Sequence, residues 1–232
     1  MSQPKNALLL IGSPRGDKSN SRVIGKFLID KLEQKGLVSE EAFAIRSVYT
    51  REGTEKLLKS VDNADIVVLA TPLYVDSFPS PMIRALELIH EHRKAAAPTK
   101  QQMLVAIMNS GFPEKQHMDI AFKIIRNFAQ ASNFKWGGEI RVGWGMALNS
   151  EPLNEKKSMT RKLTKGLSLA AANLSTGQPI SKEAEESVSV LFLPLFVAKT
   201  MSGLFGNREW DTQAKKNYAK DKMRDRPYEN NQ

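Results

Sequence analysis

Two stretches carry residue types from which a ligand site could be built. The first, Leu8 to Ser21 (LLLIGSPRGDKSNS), turns from an apolar run into a loop holding Ser13, Arg15, Lys18, Ser19, Asn20 and Ser21. The second, Asp65 to Met82 (DIVVLATPLYVDSFPSPM), does the same at Thr71-Pro72. In the first, the hydroxyls, the amide and the two cations precede an amphipathic segment. Unpaired N–H groups and the positive end of the dipole at such a helix start suit an anion, phosphate above all. A dinucleotide fingerprint is excluded because only Gly12 and Gly16 are present, and Asp17 between Gly16 and Lys18 breaks a Walker loop. Hydroxyls in place of glycines suit a phosphate monoester wrapped by one turn. The simpler alternative, that these side chains only cap a helix, stays open.

The elements that must position these loops follow from periodicity. Strand, helix, strand, helix, strand between Ala7 and Ala70 fits two crossover units of roughly thirty residues each. In a sheet of order 2-1-3-4-5, the first and third strands are neighbours whose connections leave in opposite directions, and ligands bind at that switch point. Ile24, Leu28, Ile29 and Leu32 predict the buried face of the first helix, which Gly36 stops. The second strand is expected at Ala42 to Val48, and a helix near Thr54 to Val61 packs Leu57, Leu58 and Val61. A helix opening at Ser80-Pro81 presents Met82, Ile83, Leu86 and Ile89. Met103 to Met108 is a fourth strand. His117 to Ala131 reads as a helix burying Ile120, Ile124, Ile125 and Phe128, and Glu139 to Gly143 as the fifth strand. Leu163, Leu167, Ala170, Ala171 and Leu174 define a last domain helix, closed by Gly177-Gln178-Pro179. The expected class is α/β, a three-layer sandwich around a five-stranded parallel sheet.

With GSPRGDKSNS after the first strand, TPLYVDSFPSPM after the third and MNSGFP (Met108 to Pro113) after the fourth, the chain resembles the NADPH-dependent FMN reductase-like family of flavodoxin-like flavoproteins, which includes quinone and nitro-compound reductases. The resemblance covers roughly Ala7 to Gly145. It implies a flavodoxin-like sandwich holding FMN, with Ser13, Arg15, Ser19, Asn20 and Ser21 on the phosphate. Pro72, Leu73, Tyr74 and Val75 would border the isoalloxazine, and Asn109, Ser110 and Gly111 the ribityl and pyrimidine side. It implies an NAD(P)H-dependent oxidoreductase passing electrons through FMN to a quinone, a nitro or azo compound, or free flavin. The cofactor carries that chemistry, so no catalytic acid or base is required of the protein. Two alternatives stand beside it: an FMN electron carrier, and an interaction module on the same fold that has lost its cofactor. A response-regulator receiver is excluded, because the third strand ends in Ala70-Thr71 where that fold needs an aspartate.

Composition sets the outer bounds. With 232 residues, 41% hydrophobic and 25% charged, the chain can bury one domain, expected at residues 1–177, plus a helical C-terminal extension at 178–232. The absence of cysteine excludes disulfides, thiolate-held zinc and cysteine-bound iron–sulfur clusters. A net charge of +9 is spread along the chain without a nucleic-acid-binding signature, so nucleic acid is not an expected partner. His90 and His92 stand two apart, on different sides of a helix, and no metal is expected there. Trp136 and Trp144 flank the fifth strand; packing is the ordinary reading and stacking on a flavin the alternative. The N-terminal apolar run is too brief for a signal peptide, which predicts a cytoplasmic protein. Val190 to Ala198, apolar but for Pro194, is too short to span a bilayer. It is expected to cover the domain or a partner subunit in a homodimer.

Overall fold

In the computed structural model, residues 4–153, 157–188, 211–212 and 214–222 are described. The short apolar runs become strands because parallel strands covered on both faces need side chains that tolerate full burial. β1 (Asn6–Ile11), β3 (Ile66–Pro72) and β4 (Met103–Asn109) form the sheet centre, with β2 (Val38–Phe43) and β5 (Lys135–Val142) at its edges. The order is β2-β1-β3-β4-β5, parallel throughout. The chain therefore has the flavodoxin-like architecture.

Alternation along each strand sorts the core into two layers. Leu9, Ile11, Val68, Ala70, Val105 and Ile107 pack with α1 (Asn20–Glu33) and α6 (Lys157–Ser175). Leu8, Leu10, Val67, Leu69, Leu104 and Ala106 pack with α3 (Arg51–Asn63), α4 (Ser80–Ala95) and α5 (Asp119–Ala131). The predicted faces of α1 and α6 are the buried ones: Ile24, Leu28, Ile29 and Leu32 on the first, Leu163, Leu167, Ala170, Ala171 and Leu174 on the second. Gly36, at φ +92°, turns the chain out of α1.

Three local expectations are corrected. The second strand is not Ala42 to Val48 but Val38–Phe43, followed by the single helical turn α2 (Ala44–Ser47). As an edge strand half open to solvent it alternates through Glu40 and Glu41 and lacks an apolar run. In α5, Ile120 and Ile124 are exposed; the buried residues are Ala121, Phe122, Ile125 and Ala129. The small Ala121 and Ala129 line the face turned to the sheet, and Phe122 fills the layer between. The fifth strand begins at Lys135, with a bulge between its pairing to Leu104 and to Val105. Gly137 is the extra residue and Gly138 takes φ +115°. Without this insertion Ile140 and Val142 would share the face of Trp136; with it they join the α1–α6 layer.

The outer rim of β5 is covered. The Ile180 N–H donates to the Gly137 carbonyl at 2.7 Å, and α7 (Lys182–Val188) follows, sending Glu185 to the Glu139 N–H at 3.5 Å. Ile180, Ala184 and Val188 belong to the α1–α6 core, so the first compact unit continues past Gly177 to Phe192. A second unit spans Leu193–Gln232; its described residues include a 3-10 turn at Lys220–Lys222. The apolar run Val190 to Ala198 lies outside the described residues. Among the described residues no helix is long and apolar enough to cross a membrane.

Candidate functional site

The loop after β1 is built by close packing. The Gly12 N–H donates to the Ala70 carbonyl at 2.8 Å, and a Cβ on Gly12 would stand 2.8 Å from Thr71 Oγ1 and 2.6 Å from Met82 Cε. The chain then turns tightly, with the Gly16 N–H donating to the Ser13 carbonyl at 3.1 Å and Gly16 at φ +56°. Ser19 caps α1: its Oγ accepts from the Arg22 N–H at 3.2 Å and donates to the Gly16 carbonyl at 2.7 Å. Its carbonyl takes the Val23 N–H at 3.1 Å. The N–H groups of Asn20 and Ser21 are left at the mouth of the helix, without a partner among the described residues.

Charge around this mouth favours an anion. The one carboxylate in the loop, Asp17, is paired with Arg46 at 2.5 Å and lies 4.0 Å from Arg22. The hydrogen bond from Arg46 holds its carboxyl below the usual carboxylate range. Arg15 and Lys18 form no ion pair among the described residues.

The loop after β3 starts at Pro72. The Leu73 N–H donates to the Asn109 carbonyl at 2.9 Å, which ties this loop to the end of β4. Tyr74 and Ser77 exchange both backbone hydrogen bonds, at 2.9 and 3.1 Å, and enclose Val75 and Asp76 at φ 45° and 60°. This is a two-residue turn of the I′ kind. A β-branched residue rarely adopts such a conformation, and the Val75 side chain is 96% exposed. Behind the turn, Phe78 is buried and Pro81 opens α4.

The loop after β4 is held at Ser110, which is buried. Its N–H donates to the Val142 carbonyl at 3.0 Å, and its Oγ accepts from the Phe112 N–H at 3.0 Å. The Phe112 ring is exposed and lies 5.3 Å from His117, centroid to centroid. Between loops, the Ser21 Oγ donates to Asn109 Oδ1 at 2.6 Å.

Of the residues predicted from sequence, Ser13, Ser19, Asn20, Ser21, Pro72, Leu73, Asn109 and Ser110 thus meet at the carboxyl ends of β1, β3 and β4. Arg15, Tyr74, Val75 and Gly111 stand on the exposed rim of the same edge. A fourth loop, Gly143 to Ser150 after β5, joins them; from sequence only its Trp144 stands out, as the alternative of stacking on a flavin. Asn20 Nδ2 donates to the Gly145 carbonyl at 2.8 Å, and Asn20 Oδ1 accepts from the Ser150 N–H at 2.7 Å. The Gly, Asn and Ser content of this loop is the signal that could have marked it, since the first loop carries the same types.

The two helical histidines each have a side-chain partner. His90 Nδ1 lies 3.0 Å from the Ser132 hydroxyl, and His92 Nε2 lies 2.9 Å from the Asp62 carboxylate. No set of three metal-ligating side chains converges among the described residues. A cleft of about 370 Å³ opens at the opposite, amino-terminal edge of the strands, beside Lys5, Asp65 and Lys100. Its one carboxylate is fully used: Asp65 accepts from the Lys5 and Asn6 N–H groups at 2.8 and 2.9 Å and from Lys100 Nζ at 2.6 Å.

The switch-point loops fit a phosphate monoester: the Gly12 cradle has no room for a side chain, and among the described residues two helix-start N–H groups and two rim cations have no partner. Among solved structures, an FMN-dependent NADH-azoreductase from Bacillus anthracis in complex with FMN is 15% identical, with a TM-score of 0.55 over 74% of this chain and 99% of that one. The apo form of the NADH:FMN oxidoreductase EmoB is 13% identical, with a TM-score of 0.54 over 82% of this chain and 96% of that one. RosB, solved with a flavin-derived intermediate, is 14% identical, with a TM-score of 0.52 over 87% of each chain. At these identities the likeness is one of fold. No curated protein sequence matches the chain. The family model for NADPH-dependent FMN reductase matches residues 6–129, more than half the chain, and the protein belongs to that family.

Proposed function

We propose that the protein binds FMN at the carboxyl edge of β1, β3 and β4 and works as an NAD(P)H-dependent oxidoreductase on a small organic acceptor, a quinone, a nitro or azo compound, or free flavin. The observation that carries this reading is the convergence of the three family loops on one edge, fastened by the 2.6 Å bond from Ser21 to Asn109. Ser13, Arg15 and the first turn of α1 from Ser19 to Ser21 hold the phosphate. Pro72, Leu73, Tyr74 and Val75 border the ring, and Asn109, Ser110 and Gly111 take its ribityl and pyrimidine side. Bound there, FMN supplies the two-electron chemistry between nicotinamide and acceptor. The protein's part is to orient the flavin and leave one side of it open. That task needs no acid or base of the protein.

We place the enzyme in the cytoplasm as a homodimer. Ile83 and Ile124 are exposed on α4 and α5, beside a cleft of about 440 Å³ with Phe128 and Leu86 in its walls. A second subunit would cover this surface. The test is the visible spectrum of the purified protein, followed by anaerobic addition of NADH or NADPH. Bound flavin should bleach and recover its colour on adding a quinone. Full occupancy with no bleaching by either nucleotide would make the protein a carrier, and failure to bind flavin would reject the reading altogether.

A further inference from the structure

The carboxamide of Asn20 is engaged at both ends by the loop after β5. Nδ2 donates to the Gly145 carbonyl at 2.8 Å, while Oδ1 accepts from the Ser150 N–H at 2.7 Å and lies 3.2 Å from its hydroxyl. That hydroxyl also reaches the Lys18 carbonyl at 3.3 Å. The loop is therefore strapped to the turn that begins α1. It is strapped to the loop after β4 as well: the Trp144 N–H donates to the Phe112 carbonyl at 2.9 Å and the Gly145 N–H to the Ser110 carbonyl at 2.7 Å. Gly145 lies so close to Asn109 that a Cβ would stand 3.0 Å from its Nδ2.

Within this short loop Trp144, Asn149 and Ser150 all take positive φ, at 55°, 50° and 55°. A tryptophan is held in that region only where its surroundings over-determine it, a condition that recurs at ligand clamps. The Trp144 side chain is half-buried and meets no other aromatic ring or cation among the described residues. Its backbone bond sets it beside Phe112, which is 63% exposed.

We infer that the Trp144–Ser150 loop is a fourth wall of the flavin site, with Trp144 as its contact to the ligand and Asn20 as the positioning residue that holds it there. The inference rests on the FMN reading above. It gives Asn20 a role through its side chain that is separate from the phosphate, which meets only its backbone N–H.

The experiment compares FMN with riboflavin, which lacks the phosphate, in fluorescence titrations of the full chain. Asn20→Ala and Trp144→Ala should each weaken both flavins by the same factor, about tenfold. The FMN-to-riboflavin preference should stay at its wild-type value. The double variant should lose no more than the larger single loss, because both act through one loop. Trp144→Phe should recover most of the affinity. A loss confined to FMN in Asn20→Ala would make Asn20 a phosphate ligand, and additive losses would uncouple the two residues; either overturns the inference. Because Trp144 lies outside the helices and strands, its variants decide the wall even if Asn20→Ala fails to fold, and unchanged affinity in Trp144→Ala overturns it. In the flavin-free protein, Asn20→Ala should raise amide exchange at Ser150 at least tenfold without changing global protection. Unchanged exchange there overturns the clasp. Wild-type protein that binds neither flavin rejects the FMN reading and the wall with it, while the exchange result still decides the clasp.

Discussion

The Ser21 hydroxyl donates to the Asn109 side-chain oxygen at 2.6 Å, joining the first turn of α1 to the last residue of β4 across the end of β3. Because β1 and β4 both flank β3, this bond spans the switch point and sets the spacing between the loops that follow β1 and β4.

Ser21→Ala combined with Arg15→Ala should therefore weaken FMN binding by at least tenfold while leaving the far-ultraviolet spectrum unchanged. Arg15 would give the phosphate a charge-assisted hydrogen bond contributing about 1.5–3 kcal/mol, while Ser21 acts through its Asn109 tether, to which its one hydroxyl proton is already donated. A flavin titration of the double variant checks this, and unchanged affinity would put the phosphate elsewhere.

Asp65 supports the other end of the sheet. Burial acts to raise its carboxyl, but Lys100 and the Lys5 and Asn6 N–H groups outweigh it and hold it below the usual carboxylate range. A carboxyl depressed in the folded state adds stability above its unfolded pKa, and that stability is lost as pH falls through the folded value. Asp65→Asn should cost about 1.5–3 kcal/mol at neutral pH. In thermal melts against pH, the gap from wild type should close below about pH 4.

Val75 occupies a backbone conformation that asparagine or glycine adopts readily. Val75→Asn should raise stability by about 1 kcal/mol through relief of that strain, since the exposed side chain gives up no burial. If the residue borders the ring, the same variant should weaken flavin binding. Chemical denaturation and flavin titration of one sample separate the two effects.

Arg93 is buried in α4 and forms no ion pair among the described residues, Asp62 acting on it only from a distance. It donates to the Ser132 and Asn133 carbonyls at 2.5 and 3.1 Å and to Gln102 Oε1, with its guanidinium 3.7 Å from the Phe134 ring centroid. Burial pulls its pKa down from the usual arginine value. Arg93→Ala would strand these acceptors and should destabilise by about 3 kcal/mol. Arg93→Lys should recover only part of this, because one ammonium cannot span the same fork. Urea unfolding measures both.

What could be read from sequence follows from how strongly burial constrains it. Leu9, Val68 and Val105 sit on strands covered on both faces, so their runs are wholly apolar and visible. β2 was displaced because, at an open edge, only one face of Val38–Phe43 is constrained, and Glu40 and Glu41 interrupt the signal. In α5 the isoleucines suggested the wrong stripe, since close approach to the sheet selected Ala121 and Ala129 rather than the largest side chains. Ser13, Ser21 and Asn109 were legible as candidates because hydroxyl and amide side chains gather in the loops that follow the buried apolar runs. The clasp from Asn20 to Ser150 joins residues 130 apart, and no local pattern reports such a pairing.

The strap at Ile180 also bears on how the molecule keeps to itself in solution. Gly137 and Glu139 would otherwise leave a carbonyl and an N–H directed outward from β5, an unfinished ladder that any other extended chain could continue. A chain cut at Gly177 would lose this cover while keeping most of its core. Its expected fate is edge-to-edge polymerisation rather than simple unfolding, seen as thioflavin-positive material that forms faster at higher concentration.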